Sequence, residues 1–229
     1  MKITAPELIG HARITLEDKD TLHVLHSRSI IAYQGDPRGR EDRFMDFGGM
    51  YRKKKWVRSK LQGPSEFLLG LPAGFSLLTI DVPAESNLLF DFRHVAFFSD
   101  GMTYKSKILK LQTAWITREL VRMKFSGPGQ LGIITVGDIT SMQLDPDRPL
   151  YVDKSALVAY PEDAQIELSV YGNQLASQSM NVQWELRGHG PVLIQTGSRD
   201  IQLQDKLTGD GWFKRLLREV LPFGSVYIK

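Results

Sequence analysis

The sequence predicts an all-β fold: three related units closing on one another as a β-prism or barrel-like sandwich with pseudo-threefold symmetry, followed by one C-terminal amphipathic helix. Three observations carry this. Val121, Met123 and Phe125 alternate with Arg122 and Lys124, and a period of two marks a sheet with one wet face. That segment runs into Gly127-Pro128-Gly129 and then into the apolar stretch Leu131 to Thr135; glycine with proline supplies the sharp reversal. The pattern also recurs. Val57, Ser59 and Leu61 alternate with Arg58 and Lys60 before Gly63-Pro64 and Phe67-Leu68-Leu69, and Val182, Trp184 and Leu186 alternate with Gln183 and Glu185 before Gly188-His189-Gly190-Pro191. These segments read as three copies of one hairpin.

Taken in order, Leu22 to Leu25 starts a strand, and Ile30-Ile31-Ala32-Tyr33 is a second, ended by Gln34-Gly35-Asp36-Pro37. Val95-Ala96-Phe97-Phe98 and Leu157-Val158-Ala159-Tyr160 match that second strand. Leu88, Phe90 and Asp91 stand in register with Leu150, Val152 and Asp153 without a gap. The period is roughly 60 to 65 residues, longer than that of the common solenoids and propellers. We therefore expect a single domain over 1–229, with repeats at about 1–75, 76–138 and 139–205.

Asp36 to Lys55 breaks the pattern and reads as a loop with paired glycines, Gly48-Gly49. Tyr104 to Trp115 reads as a strand of the second unit, with Ile108, Leu109 and Leu111 inward. Asp210 can cap a helix over 210–221, with Trp212, Phe213, Leu216, Leu217 and Val220 on one side and Lys214, Arg215 and Arg218 on the other; Pro222 ends it. That helix is expected to plug one end of the β-structure, and Val226-Tyr227-Ile228 to add a last strand.

Composition excludes several classes. With no cysteine in 229 residues, disulfides, thiolate metal sites and cysteine nucleophiles are ruled out. A net charge of +3 permits an acidic partner without demanding one. No apolar run approaches the ~20 residues of a spanning helix, and the first residues lack the apolar core of a signal peptide. A cytoplasmic location is the expectation.

The apolar-Ala-Tyr strand ending, the strand entering Gly-Pro-Gly, and the presence of three such units resemble the altered-inheritance-of-mitochondria protein twenty-four family, most clearly over Phe125 to Thr135 and Leu150 to Tyr160. The first turn departs from the pattern, reading Gly63-Pro64-Ser65 without the second glycine. The resemblance implies a fold like that of the tryptophan RNA-binding attenuation protein, with β-units arranged as a prism or double-stranded β-helix-like sandwich. It implies no catalytic residues.

The residues themselves offer little chemistry. His23 and His26 are three apart, on opposite sides of a predicted strand, and His11, His94 and His189 lie elsewhere; no metal and no cofactor are expected. No serine has the glycine context of a nucleophile elbow. Asp91 and Asp153 occupy matched positions where paired carboxylates could do acid–base work, although turn capping is the commoner use of an aspartate beside a strand. We therefore expect a non-catalytic interaction or scaffold module, binding itself or other proteins. The alternative is RNA or an anionic membrane surface held by the basic stretch Arg52 to Lys60, with Arg52, Lys53, Lys54, Lys55 and Arg58 as the binding residues beside Tyr51 and Trp56. Cations interleaved with aromatics can track phosphates and stack bases. The third unit, however, carries Gln183 and Glu185 at the equivalent strand, so the basic face is not a continuous ring.

Overall fold

A computed structural model describes residues 1–4, 10–45, 57–108, 121–170 and 182–197. Nineteen strands run through them, all paired antiparallel. They are β1 (Lys2–Thr4), β2 (His11–Leu16), β3 (Thr21–Val24), β4 (Ile30–Gly35), β5 (Arg40–Phe44), β6 (Val57–Gln62), β7 (Ser65–Gly70) and β8 (Ser76–Val82). There follow β9 (Leu88–Asp91), β10 (Val95–Ser99), β11 (Thr103–Ile108), β12 (Val121–Ser126), β13 (Gly129–Thr135) and β14 (Ile139–Leu144). The last are β15 (Leu150–Asp153), β16 (Leu157–Pro161), β17 (Gln165–Val170), β18 (Val182–Arg187) and β19 (Gly190–Gln195). The expected helix over 210–221 and the strand at Val226 to Ile228 lie outside the described residues, as do Leu109 and Leu111.

The strands form four sheets. The first has the order β1-β2-β7-β4 and the second β5-β6-β3-β10-β13-β8. The third is ordered β11-β12-β9-β16-β19-β14, which is the second sheet's order with each strand replaced by its counterpart further along the chain. The fourth, β15-β18-β17, holds only the counterparts of the first three strands of those sheets. Each six-stranded sheet is thus two three-stranded halves joined at its middle, by β3 with β10 in one and by β9 with β16 in the other.

The Gly-Pro reversals are corners and not hairpins, which corrects the sequence reading. β6 lies in the second sheet and β7 in the first; β12 lies in the third and β13 in the second; β18 lies in the fourth and β19 in the third. Each turn carries the chain across to the facing sheet, so its flanking strands pack face to face without pairing. Gly127 makes such a corner at φ +100°, where a Cβ would stand 2.9 Å from the Gly101 carbonyl oxygen. Alternation correctly reports that each strand has a buried face, but it does not say which strand lies beside it.

Three cores follow from this weave. Ile14 and Phe67 of the first sheet bury with Val24, Leu61 and Phe97 of the second. Leu131 and Ile133 of the second bury with Phe90, Met123 and Phe125 of the third. Leu89, Leu157 and Val192 of the third bury with Val152, Trp184 and Leu186 of the fourth. Adjacent sheets therefore share apolar layers from one end of the molecule to the other, and the strands at the sheet middles are covered on both faces.

A second correction concerns Asp36 to Lys55. Asp36 accepts a hydrogen bond from the Arg38 amide at 2.9 Å and caps a 3-10 turn, after which Arg40–Phe44 forms strand β5. Its residues Arg-Glu-Asp-Arg carry charge on both faces, as an edge strand allows, and so show no alternation by which to recognise it.

Candidate functional site

Three places could support function: the basic stretch, a buried ionic cluster, and the outer edge of β4. Of the predicted basic residues, Arg52, Lys53, Lys54 and Lys55 lie outside the described residues. Arg58 is described, on β6 opposite Arg43 of β5. Its guanidinium sits 5.8 Å from the centre of the Tyr104 ring, a cation–π distance. The structure thus sets Arg58 against an aromatic of the neighbouring sheet.

The ionic cluster is built at the β9–β12 ladder. Asp91 ends β9 and is 1% exposed; its carboxylate accepts from the Arg93 amide at 3.0 Å and from the Arg93 guanidinium. Arg122 faces it across the ladder, wholly buried, with its guanidinium 5.2 Å from the Tyr160 ring centre and donating to the Val158 carbonyl at 3.3 Å. Burial pushes the Asp91 carboxyl up, but the Arg93 and Arg122 guanidiniums outweigh this and hold it well below the usual carboxylate range. His94 is buried nearby, with Nδ1 2.7 Å from the Ile134 carbonyl oxygen, and its pKa is lowered chiefly by desolvation. Asp91 is held by Arg93, whereas Arg122 and His94 reach main-chain carbonyls. Asp153, the counterpart of Asp91, accepts from the Ser155 amide and hydroxyl at 2.9 and 2.6 Å. The matched aspartates are turn caps, and the structure does not bring them together.

The edge of β4 is different in kind. β4 pairs on one side with β7 and has no strand on its other side among the described residues. Its counterparts β10 and β16 lie in the middle of six-stranded sheets. All three strands shift register at the same place, between Val95 and Phe97, Leu157 and Ala159, and Ile30 and Ala32. The residue inside the bulge is Ala96, 1% exposed, in the first case and Val158, fully buried, in the second. In β4 it is Ile31, 62% exposed. Sequence reasoning missed this, because Ile30-Ile31-Ala32-Tyr33 reads like the other two strands.

Below the edge lies a cleft of about 490 Å³, lined by Tyr33, Gly35, Pro37, Arg40 and Asp42. The Tyr33 hydroxyl donates to the Asp36 carbonyl at 2.9 Å and fixes the turn out of β4. Asp42 accepts from the Ser59 hydroxyl, which ties β5 to β6. Among the described residues the arrangement offers a strip of unpaired backbone carrying an exposed isoleucine, next to a shallow cleft of mixed lining. Such a strip can add a strand.

A family model described as mitochondrial biogenesis AIM24 matches residues 12–197. The X-ray crystal structure of protein SPYM3_0169 from Streptococcus pyogenes is similar, with a TM-score of 0.61 and 16% sequence identity. That match covers 96% of this chain and 99% of the other, and at such identity it speaks for the fold. No curated protein matches. Among the described residues, no helix is long and apolar enough to cross a membrane.

Proposed function

The chain belongs to the mitochondrial biogenesis AIM24 family, and within that family we propose that it acts as a non-catalytic interaction module. The observation that carries this reading is the open edge of β4, with Ile31 62% exposed where its counterparts are buried. Natural sheets blunt their edges with charge, proline or a covering element. Ile30–Gly35 contains no charged residue and no proline. An uncharged edge with an exposed isoleucine suits pairing with an added strand, in which main-chain hydrogen bonds give affinity and side-chain pockets give specificity. Covering Ile31 would contribute on the order of 1–2 kcal/mol through apolar burial alone.

The buried cluster favours the same reading. Asp91, Arg93 and Arg122 spend their charges on one another, and a general acid or base must reach a substrate proton.

The test compares the full-length chain with Ile31→Arg, a change at an exposed position, in capture from the native host and in turnover of a metabolite panel. Proteins held by the wild type should fall at least tenfold with Ile31→Arg, with no turnover by either form. Turnover abolished by Asp91→Asn or Asp153→Asn would make this protein an enzyme and overturn the proposal.

A further inference from the structure

We propose that the partner of the β4 edge is strand β15 of a second copy of this chain, so that copies join head to tail. This rests on the interaction-module reading and names its partner.

The chain itself shows the interface twice. In the second sheet β3 pairs with β10, setting Val24 opposite Phe97, His23 opposite Phe98 and Leu22 opposite Ser99. In the third sheet β9 pairs with β16, setting Phe90 opposite Ala159, Leu89 opposite Tyr160 and Leu88 opposite Pro161. By strand order, the counterpart of β3 and β9 in the fourth sheet is β15, and the counterpart of β10 and β16 in the first is β4. The first sheet therefore ends, on its β4 side, in half of a junction. Among the described residues the fourth ends, on its β15 side, in the matching half. In this chain the two belong to separate sheets, so a second copy supplies the missing strand.

The register follows from the two internal cases. Val152 falls opposite Ala32, Tyr151 opposite Tyr33 and Leu150 opposite Gln34. The middle position of both junctions carries a ring on one strand, Phe98 or Tyr160, and His23 stacks on Phe98 with ring centres 4.7 Å apart and planes 24° apart. The new junction places Tyr151 beside Tyr33 there, and cross-strand aromatic pairs are favourable. The bulge residue completes the fit. The Ala96 carbonyl accepts from the Leu25 amide at 2.8 Å across the junction, and the side chains of Ala96 and Val158 lie in the apolar layers between their own sheet and the preceding one. Ile31, in the first sheet, would find such a layer against the second copy. Because the surfaces differ, the contact is heterologous, and it closes into a ring or continues as a filament.

The experiment uses the full-length chain. Sedimentation and light scattering at micromolar concentration should give a multiple of the 25.9 kDa chain mass, and Ile31→Arg should give the single-chain mass with an unchanged circular dichroism spectrum. As the chain has no cysteine, separate Tyr33→Cys and Tyr151→Cys proteins provide a second test that does not depend on Ile31. Mixed under oxidising conditions they should form a covalent pair joining one of each, while a chain carrying both changes should form chains of linked copies. A single-chain mass for the wild type, an assembly indifferent to Ile31→Arg, or a double variant that links only within itself would each overturn the proposal. If Ile31→Arg loses captured host proteins while the wild type is a single chain, this proposal fails and the interaction-module reading stands.

Discussion

Arg122 and Asp91 sit opposite each other across the β12–β9 ladder, one fully buried and the other 1% exposed. The carboxylate also closes the turn after β9 by accepting from the Arg93 amide. One aspartate thus ties the middle of the third sheet to the connection that leads into the second. Removing one partner of a buried pair leaves an uncompensated charge, which costs roughly 3–5 kcal/mol. Asp91→Ala should lower stability by about that much in urea denaturation. The double variant with Arg122→Met should cost less than the sum of the single changes, because the stranded guanidinium is gone. Additive costs would show that the two side chains are independent.

Histidine burial gives a pH dependence of definite sign. His26 packs on the Phe92 ring at 5.0 Å, and desolvation lowers its pKa to about 4 from 6.5. His94 is lowered for the same reason. A histidine with a depressed folded pKa takes up its proton more readily when unfolded, so its contribution is present above 6.5 and is lost as pH falls toward 4. Stability should therefore decline between pH 6.5 and 4, with His26→Phe flattening the slope. Asp91 adds a separate loss that begins only as pH falls below its ordinary value of 3.8, because its folded pKa is depressed. A melting temperature independent of pH from 7 to 4 would contradict the histidine burial.

Gly132 lies opposite Phe97 in the β10–β13 ladder, and a Cβ there would stand 2.2 Å from the ring. Gly132→Ala should destabilise by ~1–3 kcal/mol through overpacking. Combining it with Phe97→Leu should cost less than the two changes apart, read by denaturation of all four proteins. Strict additivity would mean that the ring moves aside freely.

The basic stretch has its own test. With Arg58 lying on Tyr104, the consecutive cations of the stretch are Arg52, Lys53, Lys54 and Lys55. Replacing those four by glutamine should leave titrations against RNA and anionic vesicles unchanged at low and at high salt. A tenfold loss at low salt that vanishes at high salt would make phosphate the partner, since such binding depends steeply on salt.

Much of the architecture was legible in the sequence, for identifiable reasons. The match of Leu88, Phe90 and Asp91 to Leu150, Val152 and Asp153 places β9 and β15 at equivalent positions of the third and fourth sheets, because alternation records which face of a strand is buried. Sheet membership was hidden. Gly127 turns the chain whether the next strand lies beside the last or across from it, so three corners read as hairpins. β5 escaped because Arg40 to Arg43 is charged on both faces. The edge at Ile31 could not be read from Ile30 to Tyr33 at all. Exposure there is set by which strands and sheets lie against β4, and no local pattern records it.

Amide hydrogen exchange of the intact chain, compared at nanomolar and at high micromolar concentration, tests the open edge most directly. β10 and β16 should be protected at both concentrations, whereas those amides of Ile31 to Gln34 that point away from β7 should exchange fast when dilute and become protected when concentrated. Protection of those amides equal to that of β10 in the dilute single chain would contradict an open edge.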